Sequence, residues 1–256
     1  MTFCNWFLEI FKWKTLVSNI RNITFLEALE QSLSSLTASL LTPNRIGEYG
    51  AKVLYYRRCD RKKIMALNLL GNSSQMVITL FFGLIGVLFL TEYFLDLYWI
   101  IAGFSLFSLV FLLCYPYLRS GRFFHFFQKF FSFYRNMGMR THLNILFLSV
   151  FRYLVFSHQF YFLLVLFGLE LNYFLSMQII FSMYFFSSLI PGFVALDFLI
   201  KGSVALTLFG LFGVNESIIL TVTTLMWLLN FALPSILGSY YVCRFSLPKS
   251  VKVPIK

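Results

Sequence analysis

Long apolar runs, several of them near or above the roughly 20 residues that cross a bilayer, alternate along the chain with short polar or basic gaps. This pattern predicts an all-α, polytopic integral membrane helix bundle, because backbone in hydrocarbon needs internal hydrogen bonds and unbroken apolar runs lack the alternation of a β-barrel. Two of the runs end at a proline. Residues 23–63 open with ITFLEALEQSLSSLTASLLT, too polar to face lipid, break at Pro43, and return from about Ile46 to the basic run Arg57, Arg58, Arg61, Lys62 and Lys63. The returning arm is too short to cross alone at 1.5 Å per residue, so this stretch reads as a first re-entrant hairpin.

Residues 64–168 read as three spans, Ile64–Leu90, Leu97–Tyr115 and His142–Leu169, with a basic aromatic helix near 121–139 lying on the interface. Residues 171–214 form the second expected re-entrant hairpin, broken at Pro191 and opening in the opposite sense to the first. Residues 217–243 are the last span, with a kink expected at Pro234, and 244–256 a basic tail. Segment 1–22, with Trp6, Phe7, Phe11, Lys12, Trp13 and Lys14, reads as interfacial. Basic residues in the gaps place the protein in a plasma (bacterial inner) membrane, multi-pass, with a cytoplasmic C-terminus.

Composition agrees with this class. Of 256 residues, 59% are hydrophobic and only 12% charged, more apolar surface than a soluble domain could bury. The net charge of +11 lies in gaps rather than in a compact basic domain, so the anionic inner leaflet, not nucleic acid, is the expected partner. The four cysteines are isolated and no histidine has a ligand-spaced neighbour, so no metal and no cofactor is expected.

The candidate chemistry lies at the two proline breaks. Arg45, Glu48 and Lys52 follow the first, and Asp197 and Lys201 follow the second; in both, acid and base stand at i, i+4 on one helical face. Charges within a bilayer are costly unless paired or wetted, which makes both pairs candidate binding residues, the alternative being that they lock the hairpins shut. Asn68, Asn72, Gln75 and Thr79 share one face of the first span, either as polar contacts between helices or as a cavity wall. Arg152 and Gln159 share a face near the middle of another span, where the arginine either snorkels or lends charge to a cavity.

TPNRIGEYGAK, preceded by Trp13–Lys14 and by FLEALEQSLSSLTASLL, resembles the signature of the lysylphosphatidylglycerol synthase transmembrane (flippase-like) family. GNSSQMVITLFFG, VFRYLVFSHQF and IPGFVALDFLIKGSVAL are similar to its later segments, in the same order. The resemblance implies that Arg45, Glu48, Asp197 and Lys201 are functional positions. Two departures accompany it: family members begin with further transmembrane helices, which implies a shortened member here, and Asp197 and Leu199 stand where relatives tend to have glutamate and glycine. Only residues 244–256 follow the last span, so the aminoacyltransferase of the family's founding member, and its chemistry, are not expected.

The expected function is therefore non-enzymatic: movement between leaflets of a charged amphiphilic lipid, an aminoacylated phospholipid or a polyprenyl-linked glycolipid. Asn72, Gln75, Arg152 and Gln159 would complete a cavity between two inverted hairpins. The alternative is an accessory protein that presents lipid to a partner glycosyltransferase or envelope enzyme.

Overall fold

The computed structural model describes residues 1–40, 42–43, 45–90, 132–190 and 192–245. The expected Leu97–Tyr115 span, most of the interfacial helix near 121–139 and nearly all of the basic tail lie outside the described residues. What is described is almost entirely helical, with no strand.

In chain order, α1 is Thr2–Val17, α2 Phe25–Leu40, α3 Ile46–Leu54, α4 Arg61–Phe89, α5 Met139–Leu166 and α6 Tyr173–Leu189. A 3₁₀ turn, Val194–Leu196, leads into α7, Asp197–Gly210. The last described helix is α8, Glu216–Trp227, continued through a π turn at Leu228–Ala232 into α9, Leu233–Arg244. Among the described residues, three helices, Arg61–Phe89, Met139–Leu166 and Glu216–Arg244, are long and apolar enough to cross a membrane.

Local chemistry accounts for the element ends. Thr24 and Glu27 form a capping box at the entry to α2: the Thr24 N–H donates to Glu27 Oε2 at 2.7 Å and the Glu27 N–H donates to Thr24 Oγ1 at 3.2 Å. Asn172 and Asn215 cap α6 and α8 through side-chain oxygens that accept from Phe174 N and Ser217 N. α5 stops in a Schellman turn, where Gly168 takes φ +93° and the Leu169 N–H reaches Leu164 O at 3.0 Å.

Core and surface are exchanged relative to a soluble protein. Phe3, Leu88, Phe147, Leu166 and Ile236 are all more than half exposed, whereas Lys12, Glu48, Lys52 and Asn68 are each only 2% exposed. Hydrocarbon around the bundle explains both, since it solvates phenylalanine and rejects charge. Among the described residues two large apolar cores stand out, beside a small third one at Val87 and Phe185. One joins α1, α2, α4 and α5 through Trp13, Leu16, Val17, Ala28, Ile64, Leu67 and Ile145. The other joins α5 to α8 through Tyr153, Phe160, Ile180, Met183, Phe209 and Val222.

The two proline breaks meet. Pro43 and Phe193 form an isolated antiparallel bridge, so the ends of α2 and α6 approach one another backbone to backbone. Trp227 Nε1 donates to Val194 O at 3.0 Å and pins the second break to the last helix. Thr37 Oγ1 donates to Ser235 O at 2.8 Å and pins α2 to α9.

Segment 1–22 does more than an interfacial segment would: Lys12 and Trp13 are buried, because α1 packs against α2, α4 and α5, and it exposes Phe3, Cys4, Phe7 and Phe11. The irregularity expected at Pro234 takes the form of a π turn, Leu228–Ala232, just before it. Proline removes the N–H that would close the regular turn there, and the wider turn carries Asn230 inward, where it is 5% exposed.

Candidate functional site: a charged cavity among the helices

The site begins at Arg45. It is the only described residue other than glycine with positive φ, at 59°, and it stands at the N-cap of α3. A left-handed arginine costs on the order of 1 kcal/mol. That conformation turns the chain sharply after α2 and brings the guanidinium back over the first turn of α3. Arg45 Nε lies 3.1 Å from Glu48 Oε2, and Lys52 Nζ lies 2.8 Å from Glu48 Oε1. Lys52 also donates to Asn68 Oδ1 of α4 at 2.8 Å and sits 4.2 Å from the centre of the Trp13 ring. Gly47 permits the tight return, because a Cβ there would fall 2.2 Å from Ala38 O.

A second carboxylate completes the arrangement. Glu9 Oε2 of α1 lies 2.8 Å from both Lys12 Nζ and Arg152 Nη1. Arg152 Nε donates to Asn5 Oδ1 at 3.1 Å, and Asn5 Nδ2 donates in turn to Asn230 Oδ1 at 2.9 Å. Each of the two glutamates thus holds two cations. Arg152 stands halfway along α5 and Asn230 halfway along the Glu216–Arg244 helix, the levels farthest from either end of both spans.

These groups surround one cavity of about 50 Å³ whose walls include Glu9, Arg45, Glu48, Lys52, Arg152 and Asn230. Leu33, Leu36, Phe231 and Pro234 form its apolar side. Five buried polar atoms of the wall residues make no hydrogen bond: Trp6 Nε1 and Ser32 Oγ, and Arg45 Nε, Glu9 Oε2 and Glu48 Oε2, the last three held in ion pairs.

Asp197 and Lys201 are elsewhere. Their side chains pair at 2.5 Å and keep 28% and 22% of their surface. Lys201 Nζ is ringed by Phe231, Phe156 and Tyr184 at 5.3, 5.5 and 5.8 Å from the ring centres. The adjoining cavity measures only about 10 Å³. Phe231 lines both cavities and forms the wall between them.

Of the residues expected to bind, Arg45, Glu48, Lys52 and Arg152 come together, and Asp197 and Lys201 lie across the Phe231 wall. Asn72, Gln75 and Gln159 do not reach the charged cavity. Asn72 donates to Tyr49 OH at 3.1 Å, Gln75 to Ser149 O at 3.4 Å and Gln159 to Thr2 Oγ1 at 2.8 Å, all contacts between helices. Glu9, Lys12 and Asn5 were not foreseen as site residues. Their spacing of four and three on α1 was the available signal, masked by the aromatic residues between them. No protein-family model, curated protein or solved structure matches the chain.

Proposed function

We propose that this protein is a non-enzymatic carrier that moves a charged amphiphilic lipid from one leaflet to the other, as the resemblance to the lysylphosphatidylglycerol synthase transmembrane family implies. The observation that carries this reading is the cavity. Three cations, Arg45, Lys52 and Arg152, and two carboxylates, Glu9 and Glu48, line it at the midpoint of two spans, and Lys12 backs Glu9 from behind the wall. A headgroup cannot enter hydrocarbon unaided at tolerable cost, and such a polar cavity offers it a substitute for water.

In this reading α2–α3 and α6–α7 are two re-entrant hairpins in inverted repeat, and their meeting at the breaks, Pro43 against Phe193, is what supports it. The nine residues of α3 rise only about 14 Å, too little to cross. Headgroup transfer then requires Phe231 to move, so that a ligand held beside Glu48 can pass to Asp197 and Lys201 while its tails stay in lipid.

The test is transfer of labelled lipid between leaflets of liposomes by wild-type protein, Glu48→Gln and Asp197→Asn. Undiminished transfer in both variants would remove these residues from the mechanism. Absence of transfer by the wild type, together with co-purification of a glycosyltransferase or other envelope enzyme, would replace the carrier with a lipid-presenting accessory protein.

A further inference from the structure

The charge balance of the cavity points to the headgroup. Glu9 is matched by Lys12 and Arg152, and Glu48 by Arg45 and Lys52, so the ion-pair cluster carries a formal excess of two positive charges; Arg45, Lys52 and Arg152 line the cavity itself, and Lys12 acts on it through Glu9. The nearby Asp197–Lys201 pair is neutral as a unit and offsets none of it. Lys12 and Lys52 are almost wholly buried, and an uncompensated charge in such a place is costly. An anion of about two charges would cancel the excess. A phosphomonoester carries about −1.5 to −2 at neutral pH and has three strongly accepting oxygens.

We infer that the cavity bounded by Glu9, Arg45, Glu48, Lys52 and Arg152 is a site for a terminal phosphate group, and that the lipid it takes ends in a phosphomonoester. The inference deepens the carrier reading and rests on it for the lipid source. Size agrees with the charge. Roughly 10–15 Å³ admits one water-sized group, so about 50 Å³ leaves room for a group the size of a phosphate. The unpartnered Trp6 Nε1 and Ser32 Oγ are two further donors at the wall. The apolar side of Leu33, Leu36, Phe231 and Pro234 favours a phosphate attached to a hydrocarbon chain over free phosphate. A zwitterionic phosphodiester or a lysyl headgroup, with net charge near zero or positive, would leave the excess uncancelled.

The experiment measures binding to the full chain purified in an uncharged detergent, with dihexanoyl phosphatidic acid, dihexanoyl phosphatidylcholine and inorganic phosphate as probes. Phosphatidic acid is expected to bind at least tenfold more tightly than either of the others. Removing one cation is expected to weaken it about tenfold to a hundredfold, the worth of a charge-assisted contact. Arg45→Gly is the preferred variant, because glycine accepts the φ of 59° that arginine holds at a cost, and Arg152→Gln is the second. Arg58→Gln, on the exposed basic run, is the control and should leave affinity unchanged.

Equal binding of phosphatidylcholine, or equal loss in Arg45→Gly and Arg58→Gln, overturns the phosphate site. Inorganic phosphate binding as tightly as the lipid keeps the phosphate chemistry but overturns the lipid source. Liposome transfer separates the two levels. Tight phosphatidic acid binding without transfer sinks the carrier and leaves the site, whereas transfer with no preference for the monoester sinks the site and leaves the carrier.

Discussion

The pairs Glu48–Lys52 and Asp197–Lys201 share one local plan, an acid and a base one helical turn apart just after a proline break, yet they occupy different environments. Glu48 and Lys52 are each 2% exposed and gain Arg45, Asn68 and the Trp13 ring as further partners. Asp197 and Lys201 keep about a quarter of their surface, and Lys201 lies beside the rings of Phe231, Phe156 and Tyr184 in addition to its own acid. The turns leading to the acids differ as well. Gly47, one residue before Glu48, lies against Ala38 O, whereas Leu196, one residue before Asp197, is 49% exposed. A closed first unit and a looser second one follow from these neighbours, not from the pairs themselves.

The comparison breaks most sharply at the acids. Glu48→Gln leaves Arg45 and Lys52 without their shared carboxylate and is expected to destabilise the protein by about 3–5 kcal/mol, the cost of an orphaned buried charge. Asp197→Asn should cost less than Glu48→Gln, because Asp197 holds one cation and Glu48 holds two. Thermal unfolding in detergent measures both, and equal losses would contradict the asymmetry. Next comes Asn68→Ala, which removes the bond from Lys52 and should cost about 1.5–3 kcal/mol, a loss with no counterpart at Lys201.

Gly47→Ala forces a Cβ to 2.2 Å from Ala38 O and should cost about 1–3 kcal/mol by overpacking. Leu196→Ala should stay within about 0.5 kcal/mol. A tolerated Gly47→Ala in the same unfolding assay would mean that the first turn is no tighter than the second.

The smallest effect is one of pH. The bond from the Thr24 N–H holds the Glu27 carboxyl below its usual value, against a weaker opposing effect of burial, with Thr24 Oγ1 and Arg21 assisting. A depressed folded-state pKa contributes stability that is fully present above the unfolded value, about 4.3, and is lost as pH falls through the folded value. Acidification should therefore loosen the entry to α2 by less than about 1 kcal/mol while the uncharged Asn172 cap of α6 is unaffected. Amide exchange at α2 and α6 between pH 6 and about pH 3 reads the difference.

Much of the fold was legible because it is local. Apolar runs mark α4, α5 and the last helix, and the breaks beside Pro43 and at 190–196 fall where proline predicts them. The i, i+4 spacing placed Lys52 on Glu48 and Lys201 on Asp197 without any knowledge of neighbours. Asn72 and Gln75 show the limit of that reasoning. Their shared face was correct, but whether such a face meets a cavity or another helix depends on what lies opposite, and Tyr49 and Ser149 lie opposite.

Helical periodicity and proline chemistry act over a few residues, so the amino-acid order alone settles the helices, their breaks and the two acid–base pairs. Which pair is buried, which cations share a carboxylate and where the excess charge accumulates were settled by packing. Glu9 meets Arg152 and Asn5 meets Asn230 only because α1 docks across the middle of two long helices. Local spacing can mark the face that carries Asn5, Glu9 and Lys12 but not the distant partners it meets, and the electrostatic consequence of those meetings, an ion-pair cluster around the cavity with two more positive than negative charges, is the feature on which the proposed site rests.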